Sequence, residues 1–271
     1  MKTRILAAAF LVPALLLLTL VLPKGIGAVV MGILQAVAAC ELLYRTRLVT
    51  KPRLVVYCAL MAFALAIWSF YGGIHAYFVL LMLIYFLLLF SEMLRDHVKI
   101  RFEVLSMCFV GGLVVPYLMS SVVRILSMNL GRYVILIPFV VACCCDGGAY
   151  FVGVRFGKHK LAPVVSPNKT IEGALGGLAA GVLAMLLYTF ILDVPLKFDV
   201  SYGAAIVYGI VGCLAGELGD LCFSVIKRQT GIKDYGNLIP GHGGVLDRFD
   251  SILAVAPLIE ALLLIMPVIL V

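Results

Sequence analysis

Residues 5–22 read ILAAAFLVPALLLLTLVL, an unbroken apolar run with no charged side chain. A helix needs about 20 mainly apolar residues to cross a bilayer. Lys2 and Arg4 before this run resemble the start of a signal peptide. The run is long enough to span, however, and further runs follow, so it reads as a retained first helix. Working outward, eight more stretches qualify, at about 26–44, 54–71, 75–94, 104–122, 133–154, 171–192, 202–226 and 249–271. Hydrophobic residues make up 64% of the 271, charged residues 13%, and the mean hydropathy is +1.16. A soluble domain runs at roughly 45–50% apolar and about 25% charged, so too few charges exist here to coat a soluble globule. Disorder needs the opposite composition. A transmembrane β-barrel would alternate apolar and polar residues in short segments. The expectation is an all-α, polytopic integral membrane protein of about nine helices, since a helix satisfies its own backbone groups in lipid. Two regions are expected. Residues 1–130 hold spans 1–5, and residues 131–271 form a C-terminal catalytic region with short loops.

The net charge of +7 does not read as a nucleic-acid footprint, because the cations lie between apolar runs. With nine spans, the N-terminus and the even-numbered loops hold 17 Lys and Arg, and the other side holds four: Lys24, Arg124, Arg132 and Lys197. Positive charge is retained on the cytoplasmic side, which predicts a cytoplasmic N-terminus and an outward C-terminus. All eight cysteines fall inside apolar runs, where Cys behaves as a small hydrophobe. Cys143, Cys144 and Cys145 are consecutive, so on a helix they point in different directions, and no second Cys/His cluster has ligand spacing.

Ionisable groups inside the membrane are costly and mark function by default. Three regions carry them, all in the C-terminal half. One is Asp146, deep in the sixth run. Another is the eighth run, where Glu217, Asp220, Ser224 and Lys227 are spaced to share one helix face. The third is the segment 224–250, which combines cations, acids, His242 and the glycines Gly236, Gly241, Gly243 and Gly244. Taken singly, each has a plain structural reading: topology signals, a packed Asp, a turn. Taken together they point to phosphate. Glycines expose N–H groups, Lys and Arg supply charge-assisted donors, and carboxylates beside them are reconciled by Mg²⁺, which takes carboxylate and phosphate oxygens at once.

Ser224-Val-Ile-Lys227-Arg228, Lys233-Asp234 and Pro240-Gly241-His242-Gly243-Gly244-Val-Leu-Asp247-Arg248-Phe-Asp250 resemble the full 27-residue signature of phosphatidate cytidylyltransferases, the CDP-diacylglycerol synthases. Asp146-Gly-Gly-Ala149-Tyr150 and Ser166-Pro167-Asn-Lys169-Thr170-Ile-Glu172-Gly173 are similar to two further segments of that family. Gly147 departs from it, because Thr or Ser often follows the Asp there. The resemblance implies transfer of the cytidylyl group of CTP to phosphatidate, giving CDP-diacylglycerol and pyrophosphate for phospholipid synthesis. It also implies Mg²⁺, leaving open a second cation, and a homodimer in membrane lipid, in the bacterial inner membrane with the site facing the cytoplasm. No nucleic-acid partner is implied.

Carried onto this chain, Asp220 and Asp247 are the expected metal ligands, with Asp146 and Asp250 as further candidates. Lys227, Arg228, Lys233 and Arg248 are expected to neutralise CTP and pyrophosphate. Lys169, oriented by Glu172, is expected on a phosphate. Ser224, His242, Gly243 and Gly244 complete the substrate-binding set. A CTP-dependent polyprenol kinase would share the nucleotide but not this signature. A CDP-alcohol phosphotransferase would need Ala-Arg after Asp146-Gly147, where this chain has Ala149-Tyr150. A transporter could use Asp146, Glu217 and Asp220 as a coupling-ion site, but no inverted repeat accompanies them.

Overall fold

The computed structural model describes residues 13, 16–238 and 243–270. Most of the first apolar run, together with Pro240, Gly241 and His242, lies outside the described residues. Among those described, seven helices are long and apolar enough to cross a membrane. They are α1 (Lys24–Arg45), α2 (Pro52–Phe70), α3 (His75–Arg95), α4 (Phe102–Ser127), α5 (Gly131–Phe156), α6 (Ile171–Asp193) and α7 (Tyr202–Gln229). Each falls on one of the apolar runs two to eight. The protein is therefore an integral membrane protein of the all-α class. Short helix α8 (Leu246–Phe249) and helix α9 (Ile252–Ile265) follow. Between α5 and α6 the chain forms an antiparallel hairpin of β1 (Lys160–Ala162) and β2 (Ser166–Thr170), where a plain loop was expected.

The ninth run differs from expectation. Helix α9 has 14 residues, or about 21 Å at 1.5 Å per residue. It stops because Pro267 disfavours helical geometry at the residue before it, and Met266 has left the helical region, with φ of −142° and ψ of 73°. The chain then runs on to an isolated antiparallel bridge. Val268 accepts from Ser201 N, Leu270 donates to Asp199 O, and Val200 bridges Ile269.

The contacts divide the chain into two compact units: 1–131 with 229–249, and 132–228 with 250–271. The signature thus contributes to both. In the first unit, α2 is central, packing on α1, α3 and α4 around Leu54, Cys58, Leu65, Tyr85 and Leu105. The Tyr85 hydroxyl, buried here, donates to Cys108 O at 2.7 Å, as a buried phenol must. At one end Lys51 pairs with Asp96 at 3.2 Å, joining the α1–α2 and α3–α4 loops. Elsewhere Lys24 donates to Met128 O at 3.0 Å, joining the start of α1 to the α4–α5 connection.

In the second unit, α5 and α6 pack along most of their length. Gly173, Gly177 and Gly181, all buried, repeat every fourth residue on one face of α6. A Cβ at Gly177 would stand 2.7 Å from the Cys145 carbonyl oxygen, and one at Gly173 2.9 Å from that of Ala149. Small residues let membrane helices approach this closely. The hairpin delivers the chain straight into α6: Thr170 caps it, its Oγ1 accepting from Gly173 N at 3.1 Å. Helix α9 runs antiparallel to α7. Ser251 and Val255 lie against Gly216, whereas Met266 O accepts from the Tyr208 hydroxyl at 3.0 Å.

Candidate active site

On α7 the expected face is real. Ser224 donates to Asp220 Oδ1 at 3.2 Å, one turn apart. The β2 end of the hairpin places Lys169 beside this face, with its ammonium 2.7 Å from Asp220 Oδ2 and 2.8 Å from Glu217 Oε1. The three side chains are 20, 25 and 16% exposed, in that order. Burial alone would lower the Lys169 pKa, but Asp220 and Glu217 outweigh it and hold it above the ordinary lysine value. Two sequence motifs some 50 residues apart thus meet at one carboxylate.

Lys227, a turn further along α7, lies 3.9 Å from Asp250 Oδ2, and Asp250 Oδ1 accepts from Ser251 N at 2.9 Å. Arg228 Nε donates to Val165 O at 3.1 Å, tying the hairpin to the end of α7. Glu172 does not reach Lys169 in this arrangement. It accepts from Lys158 N at 3.0 Å and pairs with His159 Nδ1 at 2.6 Å, so it holds the entry to the hairpin. Asp146 lies on α5 and is exposed. A Cβ at Gly147 would meet no atom within 4 Å, so packing does not demand glycine there.

In the other unit, Asp247 is only 5% exposed. Its Oδ2 accepts from Tyr235 N at 2.8 Å and Gly244 N at 3.0 Å. Gly243 has φ of +86°, a left-handed conformation that a residue with a Cβ adopts at a cost. The Gly244 N–H, expected to face phosphate, is here given to Asp247. Lys233 and Arg248 are exposed, and His242 falls outside the described residues. One participant escaped the sequence reading: Glu41, at the end of α1, accepts from Val245 N on Oε1 at 3.1 Å and from Leu246 N on Oε2 at 2.9 Å. Its only cue was a lone acid closing an apolar run.

Among the described residues, no three His, Cys, Asp or Glu side chains gather closely enough to hold a metal alone. Mg²⁺ is commonly held by one or two carboxylates, with water and substrate phosphate completing its shell. Glu217 and Asp220, both paired with Lys169 here, are the carboxylates of this face that could serve such an ion.

The cytidylyltransferase family profile matches residues 2–266. A phosphatidate cytidylyltransferase of Staphylococcus haemolyticus (strain JCSC1435) is 45% identical over 134 residues, 49% of this chain and 50% of that protein. Proteins of the same name from Staphylococcus saprophyticus and Staphylococcus epidermidis are 44 and 45% identical over 134 and 133 residues. These matches span about half the length of the curated relatives.

Proposed function

Because the chain belongs to the cytidylyltransferase family, we propose that it transfers the cytidylyl group of CTP to phosphatidate. The observation that carries this reading is the meeting of the hairpin and α7 motifs at Asp220. A phosphatidate oxygen attacks the α-phosphorus of CTP, the bond to the β-phosphate bridge breaks, and pyrophosphate leaves. Phosphate monoesters have a second pKa of about 6, so the nucleophile is already anionic and no strong general base is needed. The task is to bring two anions together, which is done by positioning and charge neutralisation. Lys227, Arg228, Lys233 and Arg248 neutralise nucleotide and pyrophosphate. Asp220 and Asp247, with Asp250 and Asp146 as further candidates, would hold Mg²⁺. When bound, that ion supplies charge stabilisation to the phosphoryl oxygens. Purified protein is expected to form CDP-diacylglycerol from CTP and phosphatidate with Mg²⁺, and to stop when EDTA is added. No product from folded protein across several acyl-chain lengths would remove the reading.

The finer topology belongs to the same proposal: nine crossings in the bacterial cell membrane, with the N-terminus and the site cytoplasmic. The Lys/Arg split supports it, as do the Lys51–Asp96 and Lys24–Met128 contacts, each of which joins loops assigned to one side. The hydrogen bonds and bridge between 268–270 and 199–201 bring those residues to the connection assigned outside. In a cysteine-free background, Lys233→Cys is expected to resist an impermeant thiol reagent in intact cells and to react once they are opened. Labelling of intact cells would reverse the orientation.

A further inference from the structure

Glu41 sits 204 residues before the backbone it holds. It is 7% exposed, and it begins a π turn, Glu41–Arg45, at the end of α1. π turns interrupt an α-helix to reposition side chains and are frequent at functional sites. Both carboxylate oxygens act as acceptors, one for Val245 N–H and one for Leu246 N–H. Those amides directly precede Asp247 and Arg248. Two glycines make room for the carboxylate: a Cβ at Gly236 or at Gly244 would collide with it. Asp247 grips the same segment from the other side, through Tyr235 N and Gly244 N. The segment is thus closed on itself by Asp247 and fastened to the N-terminal helices by Glu41. Glycine at 236 and 244 answers to a carboxylate of this chain, whatever else it allows.

We propose that Glu41 is a positioning residue, whose carboxylate fixes the backbone of 244–246 and thereby sets Asp247 and Arg248 for the nucleotide. This rests on the cytidylyltransfer reading above. A carboxylate is needed because a glutamine would turn an NH₂ group toward one of two N–H donors, leaving a buried donor unmatched. Nothing requires Glu41 to touch substrate.

The test uses the full-length protein in detergent, with hydrogen exchange and steady-state kinetics on wild type and E41Q. Amides of Val245 and Leu246 are expected to be protected in wild type. In E41Q they should exchange about tenfold faster or more, with α1–α4 unchanged. The kcat is expected to fall about ten- to hundredfold and KM for CTP to rise, with KM for phosphatidate unmoved. E41D keeps two acceptors and should recover part of both losses. Unprotected amides in wild type overturn the proposal without any variant, so a misfolded E41Q cannot shelter it. Unchanged exchange in E41Q also overturns it. A fall in folded fraction with KM for CTP unaltered reduces Glu41 to fold support and removes the positioning role. If wild type makes no CDP-diacylglycerol, the activity reading fails, and the exchange measurement still decides whether Glu41 holds the loop.

Discussion

Lys169→Met is expected to abolish turnover and to lower Tm by several degrees, and a second substitution should separate the two effects. The Lys169 ammonium is shared by Asp220 and Glu217 at 2.7 and 2.8 Å. Methionine fills the same space but leaves two carboxylates facing each other. Removing one partner of a buried ion pair costs about 3–5 kcal/mol. All three side chains keep some contact with solvent, so the low end of that range or less applies. Removing one of the two acids should relieve the repulsion, so Lys169→Met/Glu217→Gln is expected to regain most of the lost Tm. It should regain no turnover, because the cation that Asp220 and an incoming phosphate would share is still missing. Thermal unfolding in detergent and a CTP-plus-phosphatidate assay on both variants decide this. Wild-type turnover in Lys169→Met would show that the ion pair is incidental to the chemistry.

Helix positions were legible because lipid demands long apolar runs, and runs two to eight became α1 to α7 with ends shifted by a few residues. The face carrying Asp220 and Ser224 was equally legible, since helical spacing alone puts them together. The hairpin at 160–170 was not. Its strands have three and five residues, with no alternation of polarity to announce them. The early end of α9 had a cue in Pro267, masked by the apolar residues around it. The partners of Lys169 and Glu41 were out of reach for another reason. Lys169 meets residues about 50 positions away, and Glu41 meets backbone 204 and 205 positions away. Periodicity reports neighbours on one element and is silent about contacts between elements. Glu172 shows the converse: the resemblance implied a partnership with Lys169, yet Lys169 on β2 turns to Asp220 and Glu217 whereas Glu172, in the first turn of α6, turns to His159.

Asp220→Asn and Glu217→Gln remove one charge each from the same ammonium, yet they are expected to differ. Asp220 uses both oxygens, one for Lys169 and one for the Ser224 hydroxyl, and lies one turn nearer the end of α7 where Lys227 and Arg228 stand. Asparagine keeps the shape but cannot offer two anionic oxygens to Lys169, Ser224 and a metal–nucleotide. Losing a group that stabilises charge only in the transition state costs about 100- to 1000-fold in kcat, so Asp220→Asn is expected in that range, with KM for phosphatidate little changed. Glu217 lies one turn deeper. In Glu217→Gln, Asp220 still neutralises Lys169, and the amide oxygen can still accept from it, so a loss of about tenfold or less is expected. Steady-state kinetics over a Mg²⁺ titration, with Tm recorded for each variant, separates the cases. If Asp220 holds the metal, Asp220→Asn should need more Mg²⁺ for half-maximal rate and Glu217→Gln should not. Near-wild-type kcat for Asp220→Asn would remove Asp220 from the centre of the site. Equal losses, with equal shifts in Mg²⁺ demand, would instead make the two carboxylates a joint ligand and carry the reacting phosphates one helical turn deeper along α7.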